Sequence, residues 1–224
     1  MRIFAWLLLA SCSVQAADMI ELRYQDQDPG DAPYLTRVLI TDRYLRLDDG
    51  NDNADFVLLE RKAKMLTNVL HSQNSLTRLP KRPLPKARAP EYKLEEKVTL
   101  VRPGTTRVQI SLDGKLCSET VAAEKFLPEA TKALAEYKSA LAYTQWQTYQ
   151  NTPADMRQHC DLVNHVWNTD RALAYGLPLE ERDDTGRTRQ LIASGRKRVN
   201  AQLFKLPKHY TLTQLPGDAS VERK

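Results

Sequence analysis

From Met19 to Asp113 the apolar side chains come in short runs that alternate with polar ones, and turn-forming residues break the runs at close intervals. Met19 to Gln25 alternates until Asp28-Pro29-Gly30-Asp31 interrupts it. Tyr34 to Thr41 and Tyr44 to Asp48 flank Asp42-Arg43, and Gly50-Asn51-Asp52-Asn53 precedes Phe56 to Glu60. Arg61 to Lys64 leads into Leu66 to His71, and Ser72-Gln73-Asn74 into Ser75 to Leu79. Strands of this length joined by short polar turns predict sequential antiparallel hairpins. Pro80 to Pro90 interrupts them with four prolines and four basic residues, Lys81, Arg82, Lys86 and Arg88. Proline lacks an amide donor, so this stretch is predicted to be an exposed connector. Leu94 to Val101 and Arg107 to Asp113 resume the pattern. Val108, Ile110 and Leu112 share one face of the latter strand.

The period then changes. Leu127, Ala130, Leu134, Tyr137 and Leu141 recur at helical spacing inside a glycine-free stretch from Val121 to Gln150, with Pro128 near its start. Thr152-Pro153 opens a second predicted helix whose stripe is Met156, Cys160, Val163 and Trp167, and Gly176 and Pro178 stop it. Three more strands are expected, at Leu179 to Asp183, Arg187 to Ile192 and Val199 to Leu206. Strands, two helices, then strands predict an α+β architecture. A long meander tends to curl, so the expectation is a half-barrel whose concave face the two helices cover. The predicted organisation is one domain over 17–215, with a helical insert at about 121–174 and a tail at 216–224.

The N-terminal residues change the picture from fold to compartment. Arg2, the apolar run Ile3 to Ala10, and Val14-Gln15-Ala16 before Ala17 have the layout of a secretory signal peptide over 1–16. The run is far shorter than the roughly 20 residues a membrane span needs. Leu9-Ala10-Ser11-Cys12 also fits cleavage before a lipid-modified cysteine, so two readings stand: a trimmed periplasmic protein, or one anchored through Cys12. Either places the chain outside the reducing cytosol. There the remaining Cys117 and Cys160 are expected to form a disulfide. It would close a loop of about 44 residues, worth roughly 4 kcal/mol in the chain-entropy account.

Charge adds little. The net +5 is built from 33 basic and 28 acidic residues, which suits solubility or attraction to an anionic membrane surface. No aromatic-basic motif points to nucleic acid.

Candidate chemistry is sparse. Asp49, Asn51, Asn53 and Glu60 fall at EF-hand ligand positions, but Ala54 stands where that loop needs glycine and the flanks are strands. His159, Cys160, Asp161 and His165 lie close together, yet a helix separates the two histidines by about 240° in projection. No Gly-x-Ser-x-Gly elbow or glycine-rich phosphate loop is present. Adjacent carboxylates such as Glu180-Glu181 point to opposite faces of a strand. No catalytic residue, metal site or cofactor is therefore predicted. Phe126, Tyr137, Tyr143, Trp146, Tyr149 and Trp167 are concentrated on the predicted helices. They read either as packing or, for Phe126, Tyr137, Trp146 and Trp167, as the lining of a cavity between helices and sheet. The basic residues Lys81, Arg82, Lys86 and Arg88 read as a solvated connector or as a contact for anionic headgroups.

The leader, the long meander, the late helices and the closing Leu203-Phe204-Lys205-Leu206-Pro207 with Tyr210 together resemble the periplasmic lipoprotein-carrier-like half-barrels. These include the lipoprotein-localisation factors and the sigma-factor-regulatory periplasmic sensor, and the likeness covers most of the mature chain in outline. The resemblance implies an envelope protein that binds an apolar or lipid-like ligand, or a lipoprotein partner, without turning it over. Two alternatives stay open: an envelope-assembly protein with a solid core, and a hydrolase. No site residue carries over from the family.

Overall fold

The computed structural model describes residues 18–84, 92–167 and 169–213. The expected leader at 1–16, Cys12 and the tail at 216–224 lie outside them, as do Lys86 and Arg88. The hairpins predicted from alternation are present as β1 (Asp18–Gln27), β2 (Tyr34–Ile40), β3 (Tyr44–Asp48), β4 (Phe56–Glu60), β5 (Met65–Leu70) and β6 (Ser75–Pro80). After the proline-rich connector come β7 (Leu94–Arg102), β8 (Thr105–Leu112) and β9 (Lys115–Ala123). Helix α1 (Pro128–Asn151) and short α2 (His159–Leu162) precede β10 (Leu177–Asp183), β11 (Thr188–Arg198) and β12 (Thr211–Thr213). The strands form one open 12-stranded sheet in the order β12-β6-β5-β4-β3-β2-β1-β11-β10-β9-β8-β7, antiparallel except for the β12–β6 pair. The architecture is α+β.

Three expectations need correction. Lys115–Ala123 is a strand, so the helical insert begins at Pro128 and not at Val121. The Asp113-Gly114 turn, both residues at positive φ, folds β9 back on β8 and buries Val121 and Ala122. Leu127 then adopts φ 47° and Pro128 takes the first helical position, which sets the true start. The second helix is not continuous: 3₁₀ turns at Ala154–Met156 and Ala172–Tyr175 bracket α2 and a π-type turn at Val163–Trp167. Met156, expected on the buried stripe, is 66% exposed. Lastly, Val199–Leu206 is not a strand; a 3₁₀ turn at Ala201–Phe204 occupies it.

Three apolar clusters hold the molecule together. In the first, Ala130, Ala133, Leu134 and Ala140 of α1 pack with Ile20, Leu22, Tyr24, Val38, Leu45, Leu59 and Leu66. Three of those four helix residues are alanines, which let the helix backbone approach the strands closely. In the second, Phe204 with Val199, Leu203, Leu206 and Tyr210 packs on Met19, Leu39, Phe56, Leu58 and Val69. Leu22 and Leu39 belong to opposite residue parities across the β1–β2 register, so these two clusters lie on opposite faces of the sheet. The third joins Val108, Ile110 and Leu112 to Cys117, Cys160 and Val163.

A buried charge cluster fastens the second face. Arg46, only 2% exposed, donates to Asp48 Oδ2 at 2.6 Å, to the Leu203 carbonyl at 2.6 Å and to the Asp52 carbonyl at 3.1 Å. Arg37 donates to both carboxylate oxygens of Asp48, at 2.7 and 2.8 Å. The Arg46 guanidinium also sits 4.0 Å from the Phe56 ring centroid. Burial alone would raise the Asp48 carboxyl, but Arg37, the Gly50 amide and Arg46 hold it below the usual carboxylate range.

Candidate functional site: a hollow lined by the long helix and the sheet

Alternation along β1 places Leu22, Tyr24 and Asp26 on one face, so the apolar row ends in a carboxylate. Asp26 lies directly across from Arg189 of β11, Arg189 across from Glu181 of β10, and Glu181 across from Thr120 of β9. The register that aligns them depends on a bulge: Arg23 faces Ala193 whereas Tyr24 faces Leu191. The skipped residue, Ile192, is 52% exposed. A ladder of alternating charge thus crosses neighbouring strands, the arrangement that stabilises cross-strand pairs.

Arg189 donates through Nε and Nη2 to the two Asp26 oxygens at 2.7 and 3.0 Å. Its guanidinium lies 5.2 Å from the Tyr24 ring centroid. Lys138 of α1 donates to Glu181 Oε1 at 3.3 Å. Arg187 reaches the Tyr34 hydroxyl at 3.1 Å and lies 3.7 Å from Asp26. Burial raises both Asp26 and Glu181. Arg189 for Asp26, and Lys138 with Arg189 for Glu181, more than offset it and hold both carboxyls below their usual range. Burial pushes the Tyr137 hydroxyl up, and burial with Lys138 nearby pushes His165 down.

These groups form one end of a hollow of about 700 Å³. Its lining includes Asp26, Glu181, Arg187, Arg189, Lys138 and His165 at the charged end. Elsewhere the lining mixes apolar Leu47 of β3, Val57 of β4, Leu70 of β5 and Leu141 of α1 with Asp49, Asp55 and Asn68. Tyr137 and Leu141 are one helical turn apart, so α1 presents both groups, with Lys138, to the hollow. The volume falls within the roughly 300–1,000 Å³ usual for small-molecule sites.

Of the aromatic cavity candidates, Tyr137 lines this hollow. Phe126 lines a second one of about 440 Å³ at the start of α1, with Thr131, Lys132 and Tyr175. Trp146 stacks at a tilt against Tyr143 and, like Trp167, is half-buried; neither lines either hollow. In the basic stretch, Lys81 donates to Ser139 Oγ at 2.6 Å and Arg82 lies 5.5 Å from the Tyr143 ring centroid, so both lean on α1.

Cys117 and Cys160 form the expected disulfide, joining β9 to α2. Asp49 and Asn51 accept backbone amides of Asn51 and Asn53 within the turn, the ordinary use of these residues there. Among the described residues no group of three or more metal-ligating side chains gathers. None of their helices is long and apolar enough to cross a membrane. The charged end of the hollow is hard to see in the sequence because Arg187 and Arg189 share a strand face with Leu191, a mixed row that by itself gives no sign of a site. The available signal was the pair of core-facing rows, Leu22-Tyr24-Asp26 and Leu191-Arg189-Arg187, that both turn from apolar to charged.

No family model and no curated protein matches the chain. Solved structures of PNGF-II in two crystal forms are similar at TM-score 0.44, with 12% and 11% identity. The alignments cover 88% of this chain but 31% and 32% of those chains, so the chain spans about a third of their length.

Proposed function

We propose that this is an exported envelope protein that binds an apolar or lipid-like ligand without chemistry, in a hollow between α1 and a sheet curled into a half-barrel. The observation that carries the reading is the shared lining of that hollow. Residues of β3, β4 and β5 meet residues of β9, β10 and β11 around it, although β1 and β2 lie between the two sets in the sheet. Strands so far apart in order approach one space most simply if the sheet bows. The packing of α1's alanine stripe on Ile20, Leu22 and Val38 supports placing the helix over the concave side. The disulfide favours an oxidising compartment, in keeping with a leader at 1–16 and a periplasmic location. Lipid or lipoprotein is the partner class this reading favours.

Native mass spectrometry on protein extracted mildly from cell envelopes tests the proposal. Lipid-sized adducts that leave on collisional activation support it. Consistently bare protein that also takes up no added amphiphile contradicts it. The same spectrum distinguishes a mature start at Ala17 from a lipidated Cys12.

A further inference from the structure

The two ends of the sheet are finished differently. Past β6 lies β12, a strand of three residues that covers that edge in parallel. Past β7, among the described residues, no further strand follows, although β7 is nine residues long. A strand with a bare edge presents a row of backbone donors and acceptors to any second strand, unless proline, shortness or charge blunts it. β7 contains no proline, and three of its side chains are exposed and apolar: Val98 at 44%, Leu100 at 69% and Val101 at 48%. Val98 lies directly opposite Val108, so it extends the face on which Val108, Ile110 and Leu112 form the third cluster. A bulge at Val101 turns Arg102 to the other face, where it donates to Thr105 Oγ1 at 3.3 Å and where Glu95, Lys97 and Thr99 also point. The charges of β7 are of both signs, so they select a register for pairing and do not forbid it.

We propose that β7 pairs antiparallel with β7 of a second copy of this chain, centred on Val98, and joins the two twelve-stranded sheets into one. Directly opposite residues of a sheet point to the same side, so a two-fold axis must set one residue of β7 against itself. Centring on Glu96 or Lys97 faces like charges, and centring on Thr99 puts Lys97 beside Arg102 of the other copy. Centring farther toward either end shortens the overlap. Centring on Val98 sets Val98 against Val98, Lys97 against Thr99, and Glu95 alongside Arg102 of the other copy, twice over. Glu96 then faces Leu100, but its carboxylate already accepts from Arg171 Nε and the Tyr175 hydroxyl, so no free charge is stranded. In the single copy Glu95 meets exposed Lys93 at 2.5 Å, a surface pair that contributes little and is readily exchanged. The contact occupies both bare edges and therefore closes at two copies. No residue of β7 lines the hollow, so the pairing stands apart from the ligand-binding reading.

Sedimentation velocity on the mature protein, from low to high micromolar concentration, tests the pairing. The expected result is a monomer–dimer equilibrium in which amide exchange over 94–102 slows as the dimer fills. Val98→Lys changes a half-exposed side chain, so the monomer should fold, and two like charges set face to face should weaken association at least about tenfold. Leu212→Lys, at a comparably exposed site on β12, should leave association unchanged. Glu95→Arg and Arg102→Glu should each weaken the dimer, and the two together should restore most of it. Val98→Cys should oxidise to a covalent dimer, because only this register sets that position against itself. A protein that stays monomeric at every concentration overturns the proposal. So does a dimer indifferent to Val98→Lys and to both charge reversals, or one whose 94–102 amides exchange as fast as the monomer's.

Discussion

Replacing Arg46 with methionine tests whether the buried charge cluster is what holds the segment from Val199 to Thr213 on the sheet. Methionine keeps apolar contact with Phe56 but removes the donors to Asp48, the Leu203 carbonyl and the Asp52 carbonyl. Removing one partner of a buried ion pair costs about 3–5 kcal/mol, because the other charge stays buried and under-satisfied. Arg37 still grips both oxygens of Asp48, which argues for the lower end, about 3 kcal/mol. For a domain of this size that corresponds to a fall in Tm of about 6–12 °C. Urea unfolding gives the free energy, and hydrogen exchange gives the location. Protection should fall most in 199–213 and least in β8 and β9, which belong to another cluster. The double variant Arg46→Met/Asp48→Leu removes the orphaned carboxylate as well and should cost less than the two single changes added together. An Arg46→Met protein within about 1 kcal/mol of the parent, with unchanged exchange in 199–213, would refute the reasoning.

Three further outcomes are expected. Gly176 sits at φ 128° and a Cβ there would lie 2.1 Å from the Ala123 carbonyl oxygen, so Gly176→Ala should destabilise by at least about 1–3 kcal/mol, read by thermal denaturation; an unchanged Tm would show that the β9–β10 junction yields freely. Cys117→Ser/Cys160→Ser opens a loop with a sequence separation of 43 and should cost roughly 4 kcal/mol in chemical denaturation, with reductant having no further effect on the variant. Acidification should destabilise the fold: Asp26, Asp48 and Glu181 are held below their unfolded values, so their contribution is full above about pH 4 and is lost as pH falls through the depressed values. Stability that stays flat from pH 5 to about pH 2 would contradict those assignments.

The sequence disclosed the hairpins because alternation is a local signal. β1 through β6, with their Asp, Asn and Gly turns, fall within a residue or two of where the pattern puts them. The face of α1 was equally legible: Leu127, Ala130, Leu134, Tyr137 and Leu141 all reach the first cluster. What failed was whatever depended on partners far along the chain. Val121-Ala122-Ala123 favours a helix locally, and pairing with both β8 and β10 makes it a strand. Val199 to Leu206 alternates well enough to read as a strand, but Phe204 stacks on Tyr44 and the Leu203 carbonyl is taken by Arg46, which hold it as a turn. The parallel pairing of β12 with β6 has no local signature at all. The site was half legible. Tyr137 stood out as an aromatic on a helix, whereas Asp26, Glu181 and Arg189 become a ladder only once three strands from opposite ends of the chain are aligned.

That alignment runs through the contact between β1 and β11, the strand pairing that links, among the described residues, one block of hairpins, β2 to β6, to the other, β7 to β10. A polypeptide delivered from its N-terminus exposes β1 with one ribbon edge bare until some 170 residues later its mate arrives. Closure of this seam brings together Leu22 and Ser194, Tyr24 and Leu191, and Asp26 and Arg189, contacts whose large loop entropy makes them late and slow. The protein is therefore built like a book bound after both halves are printed, and its pocket comes into being only when the spine is sewn.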